Sequence, residues 1–248
     1  MMADIYDDLI PHAGSSNFPH WVVDKFREIG INGCAINGYG GLGFNNMEYG
    51  SLIYEIARKD YSLFLFFIVL NSLGSNIIAD LGNEEQKQRI LTETIPLKKM
   101  ICFGLTEPDN GSDASGLQTF AKKVDGGFVI NGAKRWIGLG HMADYIIVWA
   151  RNEDEGNKVQ GFIVTKGSKG LAAKKIEGKF STRLMENADI QFHDVFVPDH
   201  NRLAKATNFA TGANRILRQS RLIYAWSGVG IAAGAYEAAL KYCLQRKQ

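Results

Sequence analysis

The string LTEPDNGSD at 105–113 carries the densest chemistry of the sequence. It gathers two hydroxyls, Thr106 and Ser112, a rigid Pro108 and the permissive pair Asn110-Gly111 into one loop after a β-rich run. Such a loop can turn several backbone N–H groups and both O–H groups towards an anion or a heteroaromatic edge, and it can equally form a tight surface turn. A second string, KRWIG at 134–138, offers Trp136 as a flat apolar plate on which a ring could lie; a tryptophan on a sheet face packed into a core is the alternative. GYGGLG at 38–43 matches G-x-G-x-x-G through Gly38, Gly40 and Gly43. A dinucleotide fingerprint needs a strand before it and a helix opening on its last glycine, and here the neighbours read as helices, so a loop joining helices is expected.

Other chemistries find little support. The histidines His12, His20, His141, His193 and His200 show no H-E-x-x-H or i,i+4 pairing, and no metal site is expected. Cys34, Cys102 and Cys243 lie far apart without C-x-x-C, which fits a reducing, intracellular compartment better than a disulfide framework. Lys+Arg 28 against Asp+Glu 26 leaves a net charge of +2, too little to argue for nucleic acid. The longest unbroken apolar run, Leu63 to Leu70, is 8 residues, so no membrane span is expected where roughly 20 are needed. The acidic opening MMADIYDD has neither the basic stretch of a secretory signal nor the arginines of a transit peptide.

The two chemical strings need elements to hold them, and the texture changes twice along the chain. From about 18 to 98 apolar residues recur at helical spacing, as in Trp21, Val22, Phe26 and Ile29, and the 63 to 70 run reads as a helix buried on most sides. Asn83 is placed to cap a helix whose first turn carries Glu84 and Glu85 and which Pro96 ends. From about 101 to 200 short β-rich runs alternate with turn pairs such as Asp125-Gly126 and Asn131-Gly132, the spacing of an antiparallel barrel or sandwich. Helix returns after about 206, where Gly228, Gly230, Ala232, Ala233 and Gly234 imply close helix-to-helix contact. The sequence stops at LQRKQ in mid-helix, with no second helix evident for that small-residue face, so an incomplete C-terminus is expected. The expected class is α+β multidomain: an N-terminal helical bundle at 1–100, a middle antiparallel β-barrel at 101–203 and the start of a C-terminal helical domain at 204–248.

CFGLTEPDNGSDASGL, INGAKRWIG, GFIVTKGSKGL and DVFVPDHNRL, in that order and at those intervals, resemble the acyl-CoA dehydrogenase and acyl-CoA oxidase family, in particular its glutaryl-CoA dehydrogenase and plant peroxisomal short-chain oxidase branches. The resemblance runs from about Phe18 to the last residue. It implies FAD between the barrel and the C-terminal helices, acyl-CoA on the flavin face, and a homotetramer of paired dimers. Residue by residue, it implies that Phe103, Leu105 and Thr106 line the flavin ring and that Gly111 and Ser112 meet the pyrophosphate or the pantetheine arm. Trp136, Ile137 and Gly138 would flank the flavin. The substrate stretch falls on Arg218, Ser220 and Arg221, and Arg246 would reach the neighbouring subunit's FAD.

The implied reaction is α,β-dehydrogenation of a short- or medium-chain acyl-CoA to the enoyl-CoA. It needs a positioned carboxylate to take the α-proton and donors aimed at the enolate oxygen. The resemblance puts that glutamate beyond Gln248, so no catalytic residue is assigned within the chain, and Glu107 receives a loop-shaping role. Phe64 stands where glutaryl-CoA dehydrogenases use an arginine, which disfavours a dicarboxylyl substrate. Gly138 stands where many dehydrogenases place threonine, and the lost bulk could open space for dioxygen. The acceptor is thus an electron-transferring flavoprotein or, in an oxidase, O2 reduced to H2O2. A catalytically inactive fragment that binds flavin or CoA is a third expectation. By resemblance the compartment is the mitochondrial matrix or the peroxisome.

Overall fold

A computed structural model describes residues 2–15 and 17–248; Met1 and Ser16 lie outside the described residues. Helices come first: α1 Met2–Ser15, α2 Trp21–Ile29, α3 Asn46–Lys59, α4 Tyr61–Leu70, α5 Asn76–Leu81 and α6 Glu84–Thr94. Helix α1 precedes the first periodicity evident in the sequence and buries Ile5 and Leu9. The starts of α3 and α6 are written locally. Asn45 and Asn83 each accept from the third helical N–H, while Glu48 and Gln86 reach back to the capping residue's own N–H. The Asn83 start signal and the stop before Pro96 therefore hold.

A turn of π-helix at Asn71–Ser75 joins α4 to α5, making one continuous helix from Tyr61 to Leu81. Leu63, Phe64, Phe66, Phe67 and Ile68 are fully buried, so this helix needs no polar face. Its most apolar 18-residue window has a mean hydropathy of 1.8, and the 21-residue helix is long and apolar enough by length and composition to cross a membrane. The count of unbroken apolar residues missed it because Asn71, Ser72, Ser75 and Asn76 interrupt the run. Of its most apolar window, 78% is buried inside the chain's own core. The π-turn is fixed by Asn71, whose side-chain oxygen accepts from Gly33 N–H at 2.6 Å and whose amide donates to Asn32 and to the Phe67 carbonyl.

GYGGLG forms neither a dinucleotide turn nor a plain loop. Strands β1 Asn37–Gly38 and β2 Gly41–Leu42 pair antiparallel across Tyr39 and Gly40, both at positive φ, as a two-residue hairpin turn requires.

The middle of the chain is one curled sheet: β3 Ile101–Gly104, β4 Phe120–Val124, β5 Gly127–Gly138, β6 Tyr145–Asn152, β7 Lys158–Thr165, β8 Leu171–Lys175 and β9 Asn187–Pro198. Its order is β3-β6-β4-β5-β9-β8, with β7 on the other edge of β6. The expected all-antiparallel barrel is corrected to a mixed half-barrel, because β3 and β4 both run parallel to β6. Alternation along a strand reports which face is buried and carries no information on the direction of the neighbour.

Helix α7, Ala213–Gln245, closes the described chain. Its small residues do have a partner, contrary to expectation. A Cβ at Gly230 would lie 2.5 Å from the Tyr54 carbonyl and one at Gly234 2.0 Å from the Arg58 carbonyl, so α3 lies against α7 at backbone distance. The reciprocal glycine, Gly50 on α3, lies under the Trp226 ring. Arg58 completes the joint, one of its guanidinium nitrogens donating to both Glu237 carboxylate oxygens at 2.7 and 2.8 Å.

Candidate functional site

The loop after β3 is locked to β5 by a buried ion pair. Lys134, fully buried on β5, gives its ammonium to the Glu107 carboxylate at 2.9 Å and to the Leu105 carbonyl at 3.1 Å. Glu107 also accepts from the backbone N–H groups of Gln118 and Thr119, which fastens both ends of the loop to one carboxylate. Burial pushes the Glu107 carboxyl up, but the Lys134 charge and these donors outweigh it and hold the group below its ordinary value. Burial lowers the Lys134 ammonium to about 8, with Glu107 compensating only in part. Next to this latch the Thr106 carbonyl accepts from Arg135 N–H at 2.8 Å, so the hydroxyl loop lies directly beside the residue that precedes Trp136. Phe103, on β3, is half-buried with its ring edge-on to Trp149 at 6.2 Å; Leu105 is buried and Thr106 half-buried. Gly111 and Ser112 are exposed at the tip, and a Cβ on Gly111 would meet nothing within 4 Å.

Trp136 lies outside any core. The pairing of β5 with β9 slips between Lys134 and Ile137, Trp136 takes φ 63°, and its side chain is 50% exposed. A bulge re-aims one side chain while the strand continues, which is how the indole faces out. The Arg135 guanidinium lies 5.4 Å from the ring centroid, and Asn187 donates to the Trp136 carbonyl at 3.0 Å. The same bulge turns Ile137 into the core at 2% exposure, so this residue offers a ligand its backbone and not its side chain. Gly138 is the last residue of β5. A Cβ there would sit 2.4 Å from the Met185 methyl and 3.1 Å from Val69, so the space expected to stand open is filled.

On α7, Arg218 and Arg221 are exposed, while Ser220 is buried and turns its hydroxyl to the Leu217 carbonyl. Arg246 follows the last turn of the helix, roughly 37 Å along the axis from Arg221 at 1.5 Å per residue. Phe64 lies under Tyr224 of α7 at 5.8 Å and stacks on Tyr61 at 5.2 Å, an aromatic wall with no cation in these contacts.

Sequence reasoning missed two supports of this site. Lys134 was present in KRWIG, but its partner stands 27 residues away and only a buried lysine would have signalled it. Glu186 was not singled out at all. Its carboxylate accepts from Phe18 N–H at 3.0 Å, Lys175 at 2.7 Å and His141 at 2.8 Å, tying the entry to α2 to the turn that follows β5. Among the described residues no group of three or more His, Cys, Asp or Glu side chains could hold a metal ion.

Comparison with known proteins agrees with this architecture. The family profile for the acyl-CoA dehydrogenase N-terminal domain matches residues 6–96, and that for the middle domain matches residues 102–195. The chain is 33% identical over 237 residues to the caffeyl-CoA reductase-Etf complex subunit CarC of Acetobacterium woodii, covering 94% of this chain and 62% of that protein. It is 33% identical over 234 residues to a short-chain specific acyl-CoA dehydrogenase of Megasphaera elsdenii, covering 92% and 61%. Of solved structures, butyryl-CoA dehydrogenase from Megasphaera elsdenii superposes with a TM-score of 0.90 at 30% identity, over 100% of this chain and 68% of that one. A glutaryl-CoA dehydrogenase from Mycobacterium smegmatis in complex with FADH2 superposes with a TM-score of 0.92 at 28% identity, over 100% and 64%. The chain thus spans about 62% of the length of the Acetobacterium relative. With both profiles matching in chain order and a solved relative at 30% identity covered over more than two thirds of its length, this chain belongs to the acyl-CoA dehydrogenase family.

Proposed function

We infer that residues 1–248 form the flavin-cradling part of an FAD-dependent acyl-CoA dehydrogenase acting on short- or medium-chain acyl-CoA, with an electron-transferring flavoprotein as acceptor. One observation carries this reading: the Glu107–Lys134 latch brings the Thr106 loop against the strand whose bulge presents Trp136. An isoalloxazine fits that arrangement. Trp136 would offer the ring an indole face, Thr106 would lie beside it with half-buried Phe103 at the start of the same loop, and exposed Gly111 and Ser112 would leave room for a phosphate or pantetheine arm. FAD bound there supplies the acceptor for hydride leaving the β-carbon. The chain's own groups orient the ring and hold the loop. Glu107, committed to a lysine and two N–H donors, is not free to take the α-proton, and we assign that step to a carboxylate outside this loop.

The half-buried Tyr61 and the exposed Tyr224, packed on the buried Phe64, support a monoacyl chain, because a distal carboxylate facing them would find no counter-charge in these contacts. The butyryl-CoA and short-chain acyl-CoA dehydrogenases among the relatives support the same chain length. The Acetobacterium subunit, part of a complex with Etf, supports the choice of acceptor. The filled space at Gly138 weighs against an oxidase opened by that glycine. Arg246, far along α7, would serve the flavin of a second copy in a homo-oligomer. The three units 1–100, 101–203 and 204–248 would then be the helical, flavin-holding and oligomer-forming parts.

The test is turnover of butyryl-, hexanoyl- and glutaryl-CoA by the complete, yellow protein with an electron-transferring flavoprotein. Preference for glutaryl-CoA would overturn the substrate class, and colourless protein that takes up no added FAD would overturn the site.

A further inference from the structure

Arg135 joins three parts of the flavin slot. Its backbone N–H donates to the Thr106 carbonyl at 2.8 Å, its guanidinium lies 5.4 Å from the centroid of the Trp136 ring, and one guanidinium nitrogen stands 3.5 Å from an Asp189 carboxylate oxygen on β9. The other Asp189 oxygen is buried and has no hydrogen-bond partner among the described residues, so this carboxylate has good reason to keep the cation near it. Trp136 in turn needs a hold. It sits on the bulge at φ 63° with its side chain half in solvent, where core packing does not fix the torsions of the indole. A guanidinium is planar, always charged and weakly hydrated, which suits it to stacking on an indole better than an ammonium.

We propose that Arg135 is a positioning residue for the cofactor: held from β9 by Asp189, it covers one face of the Trp136 indole, fixes the orientation of that ring, and leaves its other face and edge for the isoalloxazine. The proposal rests on the flavin reading above. It separates the tasks of two neighbouring cations. Lys134 points into the core and closes the loop on Glu107, whereas Arg135 points out and acts on the flavin only through Trp136.

The test is a double-mutant cycle on the complete protein, with FAD affinity measured for the parent, Arg135→Ala, Trp136→Ala and Arg135→Ala/Trp136→Ala. Arg135→Ala should weaken FAD binding about two- to fivefold, the size of one exposed cation–π contact, and should have no further effect once residue 136 is alanine. A second readout needs no cofactor. With fluorotryptophan in place of tryptophan, and the Trp136 resonance assigned by its loss in Trp136→Phe, Arg135→Ala should move that fluorine signal towards its position in denatured protein and leave the signal of the buried Trp149 in place. An unmoved Trp136 signal overturns the hold on the indole. FAD affinity unchanged in Arg135→Ala, or an Arg135 effect that persists undiminished in the Trp136→Ala background, overturns the positioning role, the latter because the arginine would then reach the flavin by another route. Parent protein that takes up no added FAD would remove the flavin reading and the cofactor role with it, while the fluorine signal still decides whether Arg135 fixes the ring.

Discussion

Replacing Lys134 by methionine keeps the length and bulk of the side chain and removes its charge. The ammonium is fully buried and bonds Glu107 at 2.9 Å and the Leu105 carbonyl at 3.1 Å, so Lys134→Met strands a buried carboxylate with two N–H donors and no counter-charge. Breaking a buried pair by removing one member costs about 3–5 kcal/mol. Felt locally as loop opening, that is a loss of about 2.2 to 3.7 decades in flavin affinity at about 1.36 kcal/mol per decade. Glu107→Gln should be destabilising for the mirror reason, and Glu107→Gln/Lys134→Met should recover much of the loss because neither charge remains. The pair also predicts a pH signature. Burial sets Lys134 at about 8 in the folded chain against 10.5 unfolded. Between those values the unfolded state binds the extra proton, so this group's contribution makes stability rise with pH across the window, and the slope should vanish in Lys134→Met. Urea unfolding across pH 7 to 11 and flavin titration of the four proteins measure all of this. Lys134→Met within about 1 kcal/mol of the parent, binding FAD equally well, would refute the latch.

Three further outcomes are expected. Trp136→Ala should leave stability within about 0.5 kcal/mol, since the indole is half in solvent, yet weaken flavin binding by the roughly 0.5–1.5 kcal/mol of one aromatic contact; a large stability loss with unchanged flavin affinity would return the residue to the core. Gly234→Val should cost at least the 1–3 kcal/mol typical of overpacking, read as a lowered melting temperature, because its Cβ must enter the Arg58 carbonyl; an unchanged melting temperature would contradict the close α3–α7 contact. Glu186→Gln should flatten the acid limb of stability. Burial raises the Glu186 carboxyl, but Lys175 and the Phe18 N–H outweigh it, so its folded value lies below 4.5; the stability it contributes is present above 4.5 and lost as pH falls through the folded value. An acid unfolding profile identical to the parent's would count against this anchor.

Local physics made much of this protein legible. The Asn83 cap, the burial of the 63–70 run and the hydroxyls of the 105–113 loop follow from residue types a few positions apart. The side of the strand from which Trp136 points did not. Strict alternation along KRWIG cannot show a bulge, and one slipped residue turns the indole to solvent and Ile137 into the core. The partner of the glycine face on α7 was equally hidden. The small residues announced a close approach, yet nothing local could say that α3, about 180 positions earlier, supplies the backbone they touch.

The sequence alone determined the helical and β textures, the helix caps, and the order and spacing of the motifs that mark the family. Each is set by short-range hydrogen bonding, steric preference or hydrophobic period, all of which act between near neighbours. Only the tertiary structure decided that β3 and β4 run parallel to β6, that Lys134 closes the loop on Glu107, and that Met185 fills the space beside Gly138. Those three depend on which distant residues share a buried volume. Burial makes an unpaired charge costly and an empty gap unfavourable, but the residue that resolves either is chosen by the path of the chain in space.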